Sequence, residues 1–258
     1  MSKHINGWNQ GIYEKYLCEG RGQGIGTEYK SWIRVQNFSS RGVISRVKGK
    51  KTGRVHHLMS NNELAYFYLL DWSDEVTDIR EQYPLLDLDS AVSIAAGIGI
   101  KYPRDNISGF PYVLTCDFMI TTKQGLKART VKMTSELGKE RVLEKLEIER
   151  RYWKKEKIDW KIVTENEISY VKAKNIEWLY SEQDINVENY ESILIFMLQL
   201  FKAGGYSAIE AIRIVERKFL LEAGTGLALF KYLALNKKIA FELNESLNLN
   251  SMKVSVVK

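Results

Sequence analysis

Three charged residues stand at separated points of the chain. They are Glu63 in Ser60-Asn61-Asn62-Glu63, Asp117 in Leu114-Thr115-Cys116-Asp117-Phe118, and Lys132 in Arg129-Thr130-Val131-Lys132. Two carboxylates and an ammonium gathered at one point suit metal-dependent phosphodiester hydrolysis, the acids holding a hard cation and the lysine orienting the attacking water. Each residue alone has a plainer explanation. Ser60 to Glu63 fits a capping box at a helix start. Asp117 is equally compatible with a strand aspartate paired to an arginine, and Lys132 with an edge lysine that discourages aggregation.

The elements that would bring the three together follow from period-two alternation. In Tyr112 to Ile120, Leu114, Cys116, Phe118 and Ile120 form one face, and Val113, Thr115, Asp117 and Met119 the other. In Gly125 to Met133 the same count places Leu126, Ala128, Thr130 and Lys132 together. A turn at Gln124-Gly125 predicts a hairpin that sets Asp117 near Lys132. The segment Glu136 to Lys157 is predicted helical, with Val142, Leu146 and Trp153 inward and Glu147 and Glu149 on a solvated or DNA-adjacent face, Glu149 remaining an option behind the metal ligands. Asp159 to Val163 is a further predicted strand. Thr164 to Glu167 repeats the capping-box spacing and is expected to open the next helix.

Five stretches carry a resemblance: EGRGQG at 19–24, KTGRVHHL at 51–58, DIREQYPL at 78–85, LEKLEIERRYW at 143–153 and NIEWLYS at 175–181. In this order they resemble TnsA, the endonuclease subunit of Tn-seven-type heteromeric transposases. The resemblance implies an α/β fold like that of type II restriction endonucleases, a mixed sheet flanked by helices. It implies that Glu63 and Asp117 are the catalytic acids and Lys132 the catalytic lysine, with Mg2+ as cofactor and Mn2+ able to substitute. The position two before the lysine is usually Glu or Gln in that pattern. Here it is Thr130, a shorter and weaker ligand, so the Val131 carbonyl or water is expected to complete the shell.

The net charge of +6 and pI near 9.1 favour a polyanionic partner. Arg41, Arg46, Lys48, Lys50, Lys51 and Arg54 lie within fourteen residues that contain no acid. Arg46, Lys48, Lys50, Lys51 and Arg54 are therefore candidate phosphate contacts, the alternative being a solvated basic hairpin. Arg21-Gly22-Gln23-Gly24 lacks a phosphate-loop pattern, and a plain turn explains it as well. No run of about 18 apolar residues is present, which predicts no membrane span. The start Met1-Ser2-Lys3-His4 carries no apolar leader, from which a cytoplasmic, DNA-associated protein is expected. Two distant cysteines, Cys18 and Cys116, suggest neither a disulfide framework nor a zinc site.

The catalytic domain is expected to span 1–168. Beyond it, Tyr190 to Lys202, Ser207 to Leu221 and Gly226 to Leu235 are predicted helices, and Lys238 to Leu243 and Ser251 to Val257 short strands, suggesting a small, mainly helical winged-helix domain over 169–258. Its last helix is apolar rather than basic, which favours docking a protein over reading bases. The resemblance implies the ATP-dependent regulator TnsC as that protein, and the TnsB transposase as the subunit that cuts and joins the 3' ends. The expected activity is cleavage of the non-transferred strand at the 5' transposon ends. A free-standing restriction-type nuclease and a non-catalytic assembly adaptor are the alternatives.

Overall fold

The computed structural model describes residues 7–34, 44–181 and 186–257. Arg41 of the basic cluster and the start Met1 to His4 lie outside the described residues. The chain divides into two compact units, one ending at Ile168 and the other beginning at Ser169.

The first unit is built on a four-stranded sheet in the order β3-β4-β5-β6, comprising Val76–Pro84, Thr115–Thr122, Gly125–Val131 and Asp159–Val163. The first three strands run antiparallel and the last pair is parallel. A parallel pair needs a crossover long enough to reverse the chain twice. That crossover is helix α4, Glu140–Lys155. It starts four residues later than expected, because Thr134–Glu136 close a separate 3-10 turn in which the Glu136 carboxylate accepts the Met133 N–H at 3.2 Å.

Helices cover both sheet faces. α2, Asn61–Trp72, sets Tyr66 edge-on to Phe118 at 5.7 Å between ring centres. On the other side of β4, Met119 joins Ala128 of β5 in one buried cluster with Ala91 and Ala95 of α3, Leu88–Gly97, and Ile148, Tyr152 and Trp153 of α4. Helix α1, Gln10–Cys18, lies in the N-terminal segment, where Trp8, Tyr16 and Trp32 pack as an aromatic cluster.

A separate hairpin of β1, Ser45–Lys48, and β2, Val55–Leu58, leads directly into α2. The 19–24 stretch is a packing turn. Arg21 stacks on Tyr16 at 3.5 Å and bonds Glu19 at 2.7 Å. Gly22 has φ +73° with Pro84 so close that a Cβ would meet its ring at 2.3 Å.

The second unit holds α5, Tyr170–Tyr180, α6, Glu191–Ala203, α7, Ala208–Lys218, and α8, Thr225–Leu235. They are followed by two-residue strands β7, Ile239–Ala240, and β8, Ser255–Val256, paired antiparallel. The strand pair is much shorter than the alternation suggested. The expected helix start at Thr164 is also revised. Glu167 does cap the Thr164 N–H at 2.6 Å, but it closes a turn, and α5 begins at Tyr170.

The expectation that α8 offers an apolar surface is corrected as well. Leu229, Phe230, Leu233 and Ala234 are buried inside the unit itself. Lys231 is buried with them, its Nζ donating to Ser181 Oγ at 2.6 Å and lying 4.5 Å from the Trp178 ring centre. Among the described residues no helix is long and apolar enough to cross a membrane.

Candidate active site

Glu63 is placed by its own helix start. The Ser60 hydroxyl caps α2 by accepting the Glu63 N–H at 3.1 Å and donates back to Glu63 Oε1 at 3.0 Å. The carboxylate reaches one residue further than a standard capping box, Oε2 accepting the Met59 N–H at 3.0 Å. Capping and catalytic explanations are thus compatible, since the cap aims a buried carboxylate. Oε2 also accepts Gln82 Nε2 at 3.1 Å. Burial raises the Glu63 pKa to about 7, and the charge of Asp117 adds to the rise.

Asp117 stands where the β4–β5 ladder ends. The last paired residues are Phe118 and Arg129, and the Val131 N–H two residues on donates to Asp117 Oδ2 at 2.6 Å. A side-chain carboxylate thereby satisfies a backbone donor that the ladder leaves over. Lys132 Nζ lies 3.4 Å from the same oxygen and donates to the Val131 carbonyl at 2.9 Å. The hairpin expected from the sequence is therefore present and joins Asp117 to Lys132. Arg129 bonds Asp159 at 2.6 Å, so it is not the partner of Asp117. For Lys132, burial works to lower the pKa, but the charges of Asp117, Glu149 and Glu63 outweigh it and leave the pKa raised. Lys132 is an ammonium here.

The expectation for Thr130 as a metal ligand is corrected. Its hydroxyl donates to Glu149 Oε2 at 2.6 Å and accepts Trp160 Nε1 at 3.2 Å. With its one proton given away and a lone pair taken, it supports a buried acid. Glu149 is fully enclosed, and burial, with the charge of Asp117 adding, lifts its pKa to about 7. A solvated or DNA-adjacent face was the expectation for this residue, with a place behind the metal ligands as the option, and the structure has it buried. The signal for burial was in the sequence, since Glu149 lies three residues after Leu146 and four before Trp153, on the inward stripe. Glu147 does face outward, held by Arg150 and Arg151 at 2.7 and 2.6 Å.

Among the described residues no three His, Cys, Asp or Glu side chains form a metal cluster. The donor set is two carboxylates and the Val131 carbonyl, all oxygen. The charge of Asp117 adds to the cost of ionising Glu63, and the Lys132 ammonium lies 3.4 Å from Asp117. Hard oxygen donors suit Mg2+ or Mn2+.

The basic residues separate into two groups. Arg46 and Lys48 project from the exposed side of the β1–β2 hairpin, opposite the buried side that carries His56 and Leu58. Lys50 and Lys51 lie in its turn, anchored through backbone N–H bonds to the Asp71 carboxylate at 2.7 and 3.1 Å, with Lys50 exposed and Lys51 half-buried. The assignment of Arg54 as a DNA contact is corrected. Its guanidinium is buried against Glu81, with bonds at 2.9 and 2.5 Å, and also donates to the Ile79 carbonyl at 2.7 Å. His56 Nδ1 is 2.8 Å from the same carboxylate. Burial alone would raise Glu81, but the His56 and Arg54 bonds hold it down at about 2. This network fastens the hairpin to β3.

The family description "TnsA-like endonuclease N terminal" matches residues 73–165, and "TnsA endonuclease C terminal" matches residues 167–243. The transposon Tn7 transposition protein TnsA of Escherichia coli is 39% identical over 255 residues, covering 97% of this chain and 92% of the relative. With a match along nearly the whole length of both chains, the protein belongs to the TnsA family of transposition endonucleases.

Proposed function

We propose that this chain is the Mg2+-dependent subunit that hydrolyses the non-transferred DNA strand at the 5' ends of a transposon, acting with a TnsB transposase. The observation that carries the reading is Lys132 Nζ 3.4 Å from Asp117 and hydrogen-bonded to the Val131 carbonyl, with the buried Glu63 carboxylate tied through Gln82 to the strand beside Asp117. Glu63, Asp117 and the Val131 carbonyl would hold the ion, which when bound supplies Lewis-acid polarisation of the scissile phosphate. Lys132, with three N–H donors and no acceptor, orients the attacking water and meets charge developing on phosphate oxygen; it is not a base. Val131 N–H fixes Asp117, and Thr130 with Trp160 fixes Glu149 behind it. Arg46, Lys48, Lys50 and Lys51 are proposed to contact phosphates near the site.

For the second unit the proposal is a winged-helix-like module that docks TnsC. Helices α6, α7 and α8 followed by the β7–β8 pair support the module. The docking proposal draws on Ile195 and Leu220, which are exposed outside the buried core.

The test is a nicking assay on transposon-end DNA with Mg2+, with and without TnsB. Strand cleavage that needs both, and disappears in Asp117→Asn, is the expected result. Site-specific double-strand cutting by the chain alone would favour a free-standing nuclease, and unchanged cutting by Asp117→Asn would dismiss the assigned centre.

A further inference from the structure

Four non-glycine residues have positive φ among those described: Gln82, Lys157, Leu220 and Lys237. Three of them follow the ends of α4, α7 and α8, where a left-handed residue is the usual way to stop a helix. Gln82, at φ +49°, is the one that interrupts a strand. A left-handed glutamine costs about 1–2 kcal/mol, and such strain persists only where the surroundings over-determine it.

Both flanks of Gln82 are pinned. Glu81 is held by Arg54 and His56, and its carbonyl accepts the Tyr29 hydroxyl at 2.9 Å. Tyr83 stacks on the same Tyr29 ring at 6.1 Å. In a regular strand, successive side chains point to opposite faces. Here Glu81 and Gln82 both reach the single segment that runs from Arg54 to Glu63. Gln82 also lies beside Asp117, because Glu81 pairs with Phe118 and Tyr83 with Cys116 in the β3–β4 register.

The hydrogen bonds to Glu63 differ in what they fix. Those from Met59 and Ser60 are local and orient the carboxylate relative to α2. The bond from Gln82 comes from the sheet that carries Asp117. We infer that Gln82 is a positioning residue of the cation site, its amide tying the helix-borne acid Glu63 to the sheet that bears Asp117 so that the two carboxylates keep one spacing. This rests on the functional reading above. The strained backbone is what allows a residue next to the Glu81 clamp to make that link.

The test uses the full chain, with Mn2+ binding read by calorimetry or paramagnetic resonance and strand nicking measured separately with TnsB and end DNA. Gln82→Asn suits the backbone, since asparagine tolerates the left-handed region, but its amide falls one methylene short of Glu63. It is expected to melt like the unaltered protein without metal, to bind Mn2+ about tenfold or more weakly, and to nick more slowly. Gln82→Gly relieves the backbone and removes the amide entirely, and it is expected to show the same loss of affinity if the asparagine variant is unstable. A purely structural role predicts a lower melting temperature with unchanged Mn2+ affinity, which would overturn the inference. Asp117→Asn separates the two readings. If it loses Mn2+ while Gln82→Asn and Gln82→Gly keep it, only the role of Gln82 fails. If Asp117→Asn also keeps it, the cation site itself falls, and the inference with it.

Discussion

At the scale of the residue, the centre combines one acid set by a helix cap with one set by an orphaned strand amide. Asp117→Asn is the informative substitution, because the amide oxygen still accepts the Val131 N–H while the charge is lost. Loss of several kcal/mol of charge stabilisation predicts a fall in nicking on the order of a thousandfold, with an unchanged circular dichroism spectrum. Thr130→Val keeps the shape but removes the donor to a buried carboxyl. It is expected to cost about 1–3 kcal/mol in urea unfolding.

The pH dependence has a definite sign. Glu63 and Glu149 hold protons when folded that they would release when unfolded, because both are raised from 4.5 to about 7. Their contribution to metal-free stability is therefore present below about pH 4.5 and lost as pH rises through 7, on the order of 3 kcal/mol for each group. The melting temperature without metal should fall across that window, and Glu63→Gln should flatten the decline. A metal-free melting curve that rose from pH 5 to 7.5 would refute the assignment.

At the scale of the element, the β1–β2 hairpin has two faces with different tasks. Arg46→Ala with Lys48→Ala should weaken DNA association and lower the slope of log affinity against log salt by about 0.9 for each phosphate no longer neutralised, leaving stability unchanged. Arg54→Ala should instead cost about 3–5 kcal/mol, since it strands the buried Glu81 carboxylate. Binding isotherms at several salt concentrations and denaturant melts distinguish the two. This division was only half legible in the sequence. Six basic residues without an acid were plain to see, but the acid that captures Arg54 lies 27 residues away, on β3. The Asp117–Lys132 hairpin was legible because alternation and a turn are local signals. The burial of Glu149 was legible in the helical spacing from Leu146 to Trp153, but its bond to Thr130 was not, because the crossover of α4 makes that pairing and strand counting does not reveal it. Gln82 carried no local signal at all, as its backbone is dictated by neighbours held from distant segments.

At the scale of the whole molecule, two units divide the chain at Ile168, and Glu63, Asp117 and Lys132 all lie in the first. Removing residues 169–258 is expected to leave Mn2+ binding by the remainder intact and to abolish capture by TnsC. Mn2+ titration and pull-down of the truncated chain test both halves, and TnsC retained by residues 1–168 would contradict the assignment. The apolar character of α8 was legible in the sequence, but its residues fill the interior of the unit rather than a docking face. Alternating apolar runs do not distinguish a core from a docking face, and α8 spends its own on the interior, even enclosing Lys231.

The Glu81 network has one more consequence. Because Arg54 and His56 lock the hairpin onto β3, and β3 carries Gln82 beside Asp117, the offset from Arg46 and Lys48 to the paired acids is a constant of the fold. With those side chains on phosphates, as proposed, that offset is a ruler. It would count backbone units from the grip to the scissile bond without any base being recognised, so the place of the cut would be inherited from wherever a partner sets the duplex down.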